Sequence, residues 1–303
     1  MRHLLGLREI SSERLLQLLE RASDLRTEVE GHQNRRLDLL RGKAVSLLFV
    51  EPSTRTRFSF EMACRRLGAE PLVFSASNSS TSKGETLIDT ARVLERVGAD
   101  ALVLRHKGVG APTQLAEALG IPVINAGDGI NEHPTQGLLD LLTIRDHFPD
   151  FNGLTVGIVG DVLHSRVARS ATFGLKKLGA RVLFAGPGTL CSPQLTSLGA
   201  EVRHTIDEVV EEVDVLMMLR IQRERLGASM LASEREYRHF WGLTASRASR
   251  MRDHAIVLHP APMNRGVEID DDVADGPRSR IFSQMANGVY ARMAVLLDVL
   301  EIK

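Results

Sequence analysis

The chain has 303 residues, 43% of them hydrophobic and 25% charged, long enough and apolar enough for two globular domains of ordinary size. Lys+Arg and Asp+Glu balance at 38 each, which excludes a global basic field of the kind that attracts nucleic acid or an anionic membrane. The two cysteines, Cys64 and Cys191, show neither metal-ligand spacing nor a disulfide framework and point to a reducing cytoplasm, and no stretch approaches the ~20 apolar residues of a membrane span.

Residues 11–30 place Leu15, Leu16, Leu19, Ala22 and Leu25 at helical spacing and predict an amphipathic helix. Strand-like and helix-like runs then alternate. Residues 44–50, 72–75, 101–104 and 122–125 read as strands, and 57–67, 86–97, 112–119 and 134–148 as helices. A second series of strands falls at 154–159, 181–185, 215–219 and 255–258. Strands alternating with helices of ten or more residues imply βαβ units and a parallel sheet. The polar turn Pro149-Asp150-Phe151-Asn152-Gly153 separates the two series. The expected fold is therefore α/β, with two domains over 1–148 and 149–303, each a parallel sheet flanked by helices. Residues 221–241 are charged and irregular and read as a mobile loop. A strongly apolar helix over about 282–300 needs a broad partner surface and is expected to pack back on the first domain.

Open parallel sheets bind ligands beyond the carboxyl ends of their strands. Residues 53–56, Arg105, His133, 161–166, Arg220 and 259–262 all fall at such ends, so one composite active site between the domains is expected. The stretch Glu51-Pro52-Ser53-Thr54-Arg55-Thr56-Arg57 leads it. Pro52 stops the strand, and Ser53 and Thr54 are good N-cap residues. The N-terminus of the helix that follows offers N–H groups and a positive dipole end to an anion, and arginine matches phosphate or carboxylate bidentately. The same residues also fit a capped helix whose arginines face water.

The loop Ser79-Ser80-Thr81-Ser82-Lys83-Gly84-Glu85-Thr86 is either flexible surface or a lid carrying a hydroxyl and an ammonium to an anion. Arg105 closes a strand. In Asn131-Glu132-His133-Pro134-Thr135-Gln136, Pro134 suits the first helical position and makes His133 the N-cap. A helix N-terminus disfavours imidazolium, so His133 is expected neutral, with one N–H to give to a developing oxyanion. Gln136 either completes the cap or faces the same ligand. Val156-Gly157-Ile158-Val159-Gly160-Asp161 lacks G-x-G-x-x-G, and no acidic residue ends the next strand, which argues against a nicotinamide enzyme. Arg166 follows it, with Arg169 a solvated neighbour. Arg220 and Gln222 close another strand within a charged run. His259-Pro260-Ala261-Pro262 ends the last, where proline fixes a turn able to present backbone carbonyls.

Ser53-Thr54-Arg55-Thr56-Arg57 resembles the carbamoyl-phosphate signature of the aspartate/ornithine carbamoyltransferase family, and the other motifs occur in that family's order along essentially the whole chain. The resemblance implies that Ser53, Thr54, Arg55, Thr56 and Arg105 hold a phosphate. Thr56, Arg105 and His133 would point donors at the carbamoyl oxygen, and Gln136 with the Ala261-Pro262 turn would hold the amide. Arg166 and Arg220, assisted by Lys83 and Gln222, would clamp the carboxylates of L-aspartate. Arg55, Thr56, Lys83, Arg105 and His133 would carry catalysis, without metal or cofactor. Orientation and preorganised charge together supply roughly 10 kcal/mol in such sites. The implied assembly is a homotrimer with shared sites, in which Lys83 and Ser79, or Ser80, reach a neighbouring subunit. Ala261 followed by Met263-Asn264-Arg265-Gly266 is similar to unregulated trimeric members, which leaves open a regulatory chain or another pyrimidine enzyme as companion. His-Pro-Thr-Gln is the aspartate form of its motif. The rival readings are carbamoyl transfer to ornithine or another amine, which would want an acidic pocket, and an inactive scaffold, although every expected position is filled.

Overall fold

The computed structural model describes residues 3–33, 35–75, 85–221 and 233–302. The chain forms two compact units, Met1–Leu142 with Ala286–Lys303, and Thr143–Met285. The first contains α1 (Ser12–Gly31), β1 (Ala44–Phe49), α2 (Thr54–Leu67), β2 (Glu70–Ser75), α3 (Leu87–Arg96), β3 (Ala101–His106), α4 (Ala111–Ala118) and β4 (Val123–Asp128). Helix α5 (Pro134–Arg145) carries the chain out of it, and α11 (Ile281–Val299) brings it back. The second contains β5 (Thr155–Val159), α6 (Arg166–Lys177), β6 (Arg181–Ala185), a 3-10 helix at Pro193–Leu198, β7 (Glu201–Arg203) and α7 (Ile206–Val210). It continues with β8 (Val215–Met218), α8 (Glu234–Trp241), α9 (Ala245–Ala248), β9 (Ile256–Leu258) and α10 (Asp271–Ala274).

Both sheets are wholly parallel, in the orders β2-β1-β3-β4 and β7-β6-β5-β8-β9. Strands β4, β5 and β8 are buried at every residue, as parallel strands covered on both faces must be. Each order reverses direction once. The reversal lies between β1 and β3 in the first unit and between β5 and β8 in the second. These are topological switch points, where connections leave in opposite directions and open a crevice at the carboxyl edge.

The amino edges of those same strand pairs are closed identically. Asp100 donates its N–H to the Ala44 carbonyl at 2.8 Å and accepts the Ala44 N–H on Oδ2 at 2.8 Å. Asp214 donates to the Thr155 carbonyl at 2.9 Å and accepts the Thr155 N–H at 2.8 Å. One aspartate thus pins β1 to β3, and the other pins β5 to β8. Burial pushes both carboxyls up, but their partners outweigh it and hold each below the ordinary carboxylate value. Those partners are the Ala44 N–H and Lys43 for Asp100, and the Thr155 N–H, His254 and Arg252 for Asp214.

The sequence reading differs from the structure mainly in the second unit. Residues 221–241 are not irregular throughout: residues 234–241 form α8, while 222–232 lie outside the described residues. Ser233 caps α8 by accepting the Glu236 N–H at 3.0 Å, and only Tyr237 within the helix is buried. One buried side chain in about two turns is too weak a periodic signal to stand out in so charged a segment. Strand β7 and helix α7 are three and five residues long, below the length at which periodicity reads. Residues 290–297 of α11 are all buried, which accounts for a helix apolar on every face.

Asp214→Asn should destabilise the protein at pH 7 by about 2 kcal/mol, roughly 4–8 °C in Tm, because a buried acceptor facing three donors becomes an amide. A depressed folded pKa stabilises above the unfolded value of ~3.9, and that contribution is lost as pH falls through the folded one. The gap between wild type and variant should therefore narrow below about pH 4 in calorimetric melts. A gap independent of pH would show that the charge of Asp214 is not what matters.

Candidate active site

At the first switch point, register pairs Phe49 with Arg105, so the chain leaving β1 and the side chain ending β3 start side by side. Ser53 is the N-cap of α2, with φ −159°, but its side chain makes no capping hydrogen bond. Ser11 and Thr86 do cap α1 and α3 with theirs. A helix N-terminus without a side-chain cap keeps first-turn N–H groups for a ligand. Thr54 and Arg55 are exposed on that turn, and Thr56 is buried. Arg105 is held in place: Nη2 donates to Glu51 Oε1 at 3.0 Å, and Nη1 to the Ala126 carbonyl at 3.3 Å.

His133 follows β4, the neighbour of β3, and is buried. Its carbonyl accepts the N–H groups of Gln136 and Gly137, which makes it the residue that opens α5. The loop before it is built around two buried carboxylates. Asp128 accepts from Asn125, Asn131, Gly110 N–H and Glu132 N–H, at 2.9 to 3.4 Å. Glu132 in turn accepts the Leu7 and Arg8 N–H groups at 2.7 and 3.3 Å. Gln136 donates its amide nitrogen to Asp140 at 2.9 Å, which leaves its carbonyl oxygen as the end that can accept an N–H from a ligand.

Sequence reasoning missed three side chains here. Glu51 occupies Arg105. Asp140 orients Gln136. Arg292, on α11, donates to Ser59 Oγ of α2 at 3.0 Å and lies over the Phe60 ring at 5.2 Å. Burial and, after it, the nearby positive charge of Arg105 lower the Arg292 guanidinium to about 9, against the opposite pull of Asp140. Glu51 stood in the leading motif and could have been found there. Arg292 lies 187 residues beyond Arg105 (292 − 105), and only the return of α11 brings it near.

At the second switch point, Gly160 follows β5 with φ +134°, and a Cβ there would meet Leu219 Cβ at 3.0 Å. Glycine is what lets the chain turn beside the end of β8. Asp161 is buried and accepts from His164 Nδ1 at 2.9 Å. Ser165 caps α6, and Arg166 stands at its first position, 6% exposed. Arg169, half-buried, donates to the Leu163 carbonyl at 3.4 Å. Arg220 follows β8 and is half-buried. After β9, beside β8, come buried His259, half-buried Ala261 at φ +52° and exposed Pro262. Ser79, Ser80, Lys83 and Gln222 lie outside the described residues.

Each unit therefore gathers its own candidates at one sheet edge, donors to an anion in the first and two arginines in the second. Burial pushes both thiols, Cys64 and Cys191, up to about 12, so neither is a nucleophile at neutral pH. Among the described residues no group of three His, Cys, Asp or Glu side chains is arranged to hold a metal ion.

Residues 2–146 match the family described as "Aspartate/ornithine carbamoyltransferase, carbamoyl-P binding domain", and residues 152–299 match "Aspartate/ornithine carbamoyltransferase, Asp/Orn binding domain". The aspartate carbamoyltransferase catalytic subunit of Syntrophotalea carbinolica is 51% identical over 295 residues, covering 97% of this chain and 94% of that one. The catalytic subunit of Salinispora tropica is 50% identical over 298 residues, covering 97% and 96%. Among solved structures, aspartate transcarbamoylase of Trypanosoma cruzi in complex with carbamoyl phosphate superposes with TM-score 0.88 at 31% identity, covering 97% and 94%. The catalytic subunit of the M. jannaschii enzyme gives 0.87 at 35% identity, covering 99% and 98%.

Inorganic phosphate should bind the first unit, and Arg55→Ala should weaken it about tenfold, the worth of one charge-assisted donor. Titration calorimetry reads this directly. An unchanged Kd would remove Arg55 from the anion site.

Proposed function

The chain belongs to the aspartate/ornithine carbamoyltransferase family, and from that premise we propose how its residues divide the reaction. The enzyme transfers the carbamoyl group of carbamoyl phosphate to the amine of L-aspartate, giving N-carbamoyl-L-aspartate and phosphate, in pyrimidine synthesis. The first unit takes carbamoyl phosphate. Ser53, Thr54, Arg55, Thr56 and Arg105 hold its phosphate, and Thr56, Arg105 and His133 give donors to the carbamoyl oxygen. Gln136, oriented by Asp140, accepts from the carbamoyl amide together with the carbonyls of the Ala261-Pro262 turn. The second unit takes aspartate, with Arg166 and Arg220 on its carboxylates and Gln222 assisting.

The amine attacks the carbamoyl carbon directly. Its lone pair forms the C–N bond, negative charge gathers on the carbamoyl oxygen, and collapse breaks the C–O bond to phosphate. The electron pair leaves with phosphate, which also takes up the amine's proton. No covalent enzyme intermediate, metal or cofactor enters. Donors fixed before the charge develops are worth most, since they need not reorganise. The observation that carries aspartate over ornithine is the pair Arg166 and Arg220 at one switch point, where nearby carboxylates are engaged, Asp161 by His164 and Glu268 by His259 and Asn264.

The working assembly is a cytoplasmic homotrimer, each site completed by Lys83 and by Ser79, or Ser80, of a neighbour. Two facts support an assembly: the relatives are named as subunits, and unit one carries exposed apolar side chains. Phe58 and Met62 lie one turn apart on α2, and Val73 stands on edge strand β2, all 44 to 52% exposed. Such surface is commonly covered by another subunit. No helix among the described residues is long and apolar enough to cross a membrane.

Purified protein given carbamoyl phosphate should carbamoylate aspartate and not ornithine; the reverse preference would overturn the reading. Arg55→Ala should lower kcat by on the order of a hundredfold, and Lys83→Gln should also inactivate. If a site needs Arg55 of one chain and Lys83 of its neighbour, an equal mixture of the two variants, dissociated and reassembled, regains ½ × ½, about a quarter of wild-type activity. Hybrid trimers as inactive as their parents would show that each site belongs to one chain.

A further inference from the structure

Behind the Ala261-Pro262 turn lies a dry polar cluster that the reaction above does not use. His259 and Glu268 are both fully buried, at 0% exposure. His259 Nδ1 accepts the Ala261 N–H at 2.9 Å, so the ring proton sits on Nε2, which donates to Glu268 Oε1 at 3.1 Å. The His259 N–H is given to Gln284 Oε1 at 3.0 Å. Glu268 also accepts the Asn264 N–H at 2.6 Å and the Asn264 side-chain amide at 3.1 Å. That same amide nitrogen donates its second hydrogen to the Ile221 carbonyl at 3.0 Å, the residue next to Arg220.

Burying a carboxylate costs several kcal/mol unless every oxygen is engaged, and apolar side chains would serve stability as well. What this carboxylate adds is orientation. A carboxylate on one nitrogen of an imidazole fixes which tautomer the other nitrogen presents. Here the other nitrogen is the acceptor that holds the Ala261 peptide. Ala261 sits at φ +52°, which costs an L residue roughly 1–2 kcal/mol and needs an external hold. The same carboxylate, through Asn264, sets the chain at the end of β8.

Resting on the carbamoyltransferase reading, we propose that Glu268 is a positioning residue. Through His259 it aims the carbonyls of the Ala261-Pro262 turn at the carbamoyl amide, and through Asn264 it registers Arg220 against that turn. One buried carboxylate thus sets the relative placement of two groups that act on different substrates.

Glu268→Gln puts an amide N–H where Glu268 now accepts. The expected result is a fall in kcat of about tenfold or more per active site, since small misplacements of this kind cost up to a hundredfold. Sites are counted by stoichiometric binding of inorganic phosphate, whose Kd should not change. Fewer phosphate-binding sites with normal kcat per site would show a merely structural role and overturn the proposal. Asn264→Ser keeps the His259–Glu268 pair and cuts the tie to Ile221. It should raise KM for aspartate several-fold with little change in kcat; an unchanged KM overturns the second half of the proposal even if Glu268→Gln does not fold. Nitrogen-15 NMR of histidine-labelled wild type should show His259 protonated on Nε2, and protonation on Nδ1 would overturn the first half independently of any assay. Wild type inactive toward aspartate but with this tautomer would instead sink the carbamoyltransferase reading alone.

Discussion

Two aspartates, half-buried Asp100 and buried Asp214, hold the amino edges of both sheets shut, and the candidate sites at the opposite edges depend on that. Each makes a two-way bridge from the start of one central strand to its neighbour, with the backbone N–H given out and a backbone N–H taken in. The strand pairs they fasten, β1 with β3 and β5 with β8, are the pairs that flank the two switch points. Fastened at one end, the strands diverge at the other only where their connections leave. The crevice at each carboxyl edge thus follows from strand order and needs no dedicated loop to open it.

Charge is distributed by the same logic. A protein with no net charge can still bind anions if its cations are collected and its carboxylates placed behind them. Glu51 holds Arg105, Asp140 holds Gln136 and Asp161 engages His164. In each case an acidic side chain acts by fixing the side chain that donates to it. Arg292 is the opposite case, a guanidinium kept in a dry place where burial has already weakened its hold on the proton. The His259–Glu268 pair extends the pattern to backbone: there a carboxylate orients a ring, and the ring orients a peptide.

The turn that opens α2 and the helix-opening histidine were legible in the sequence because their signals are local. Pro52 and Ser53 mark the end of a strand and the cap of a helix, and Pro134 marks the first turn of α5, whatever lies elsewhere in the chain. Apolar runs located strands such as β4 and β5 for a similar reason, since both faces are covered and alternation disappears. Helix α8 was lost because its single buried residue gives no period, and β7 because three residues are too few.

By itself, the sequence determined the parallel α/β class, the division into two series of strands, and the identity of the residues at strand ends, all through interactions spanning one or two turns. Only the tertiary structure decided the strand order, and with it which ends are neighbours. Register sets Phe49 beside Arg105, and α11 returns to bring Arg292 to α2, across 56 (105 − 49) and 233 residues. Such pairings are chosen by burial of whole faces and by closure of the sheet edges. No residue carries that choice in its own neighbourhood, so no local pattern could have shown it.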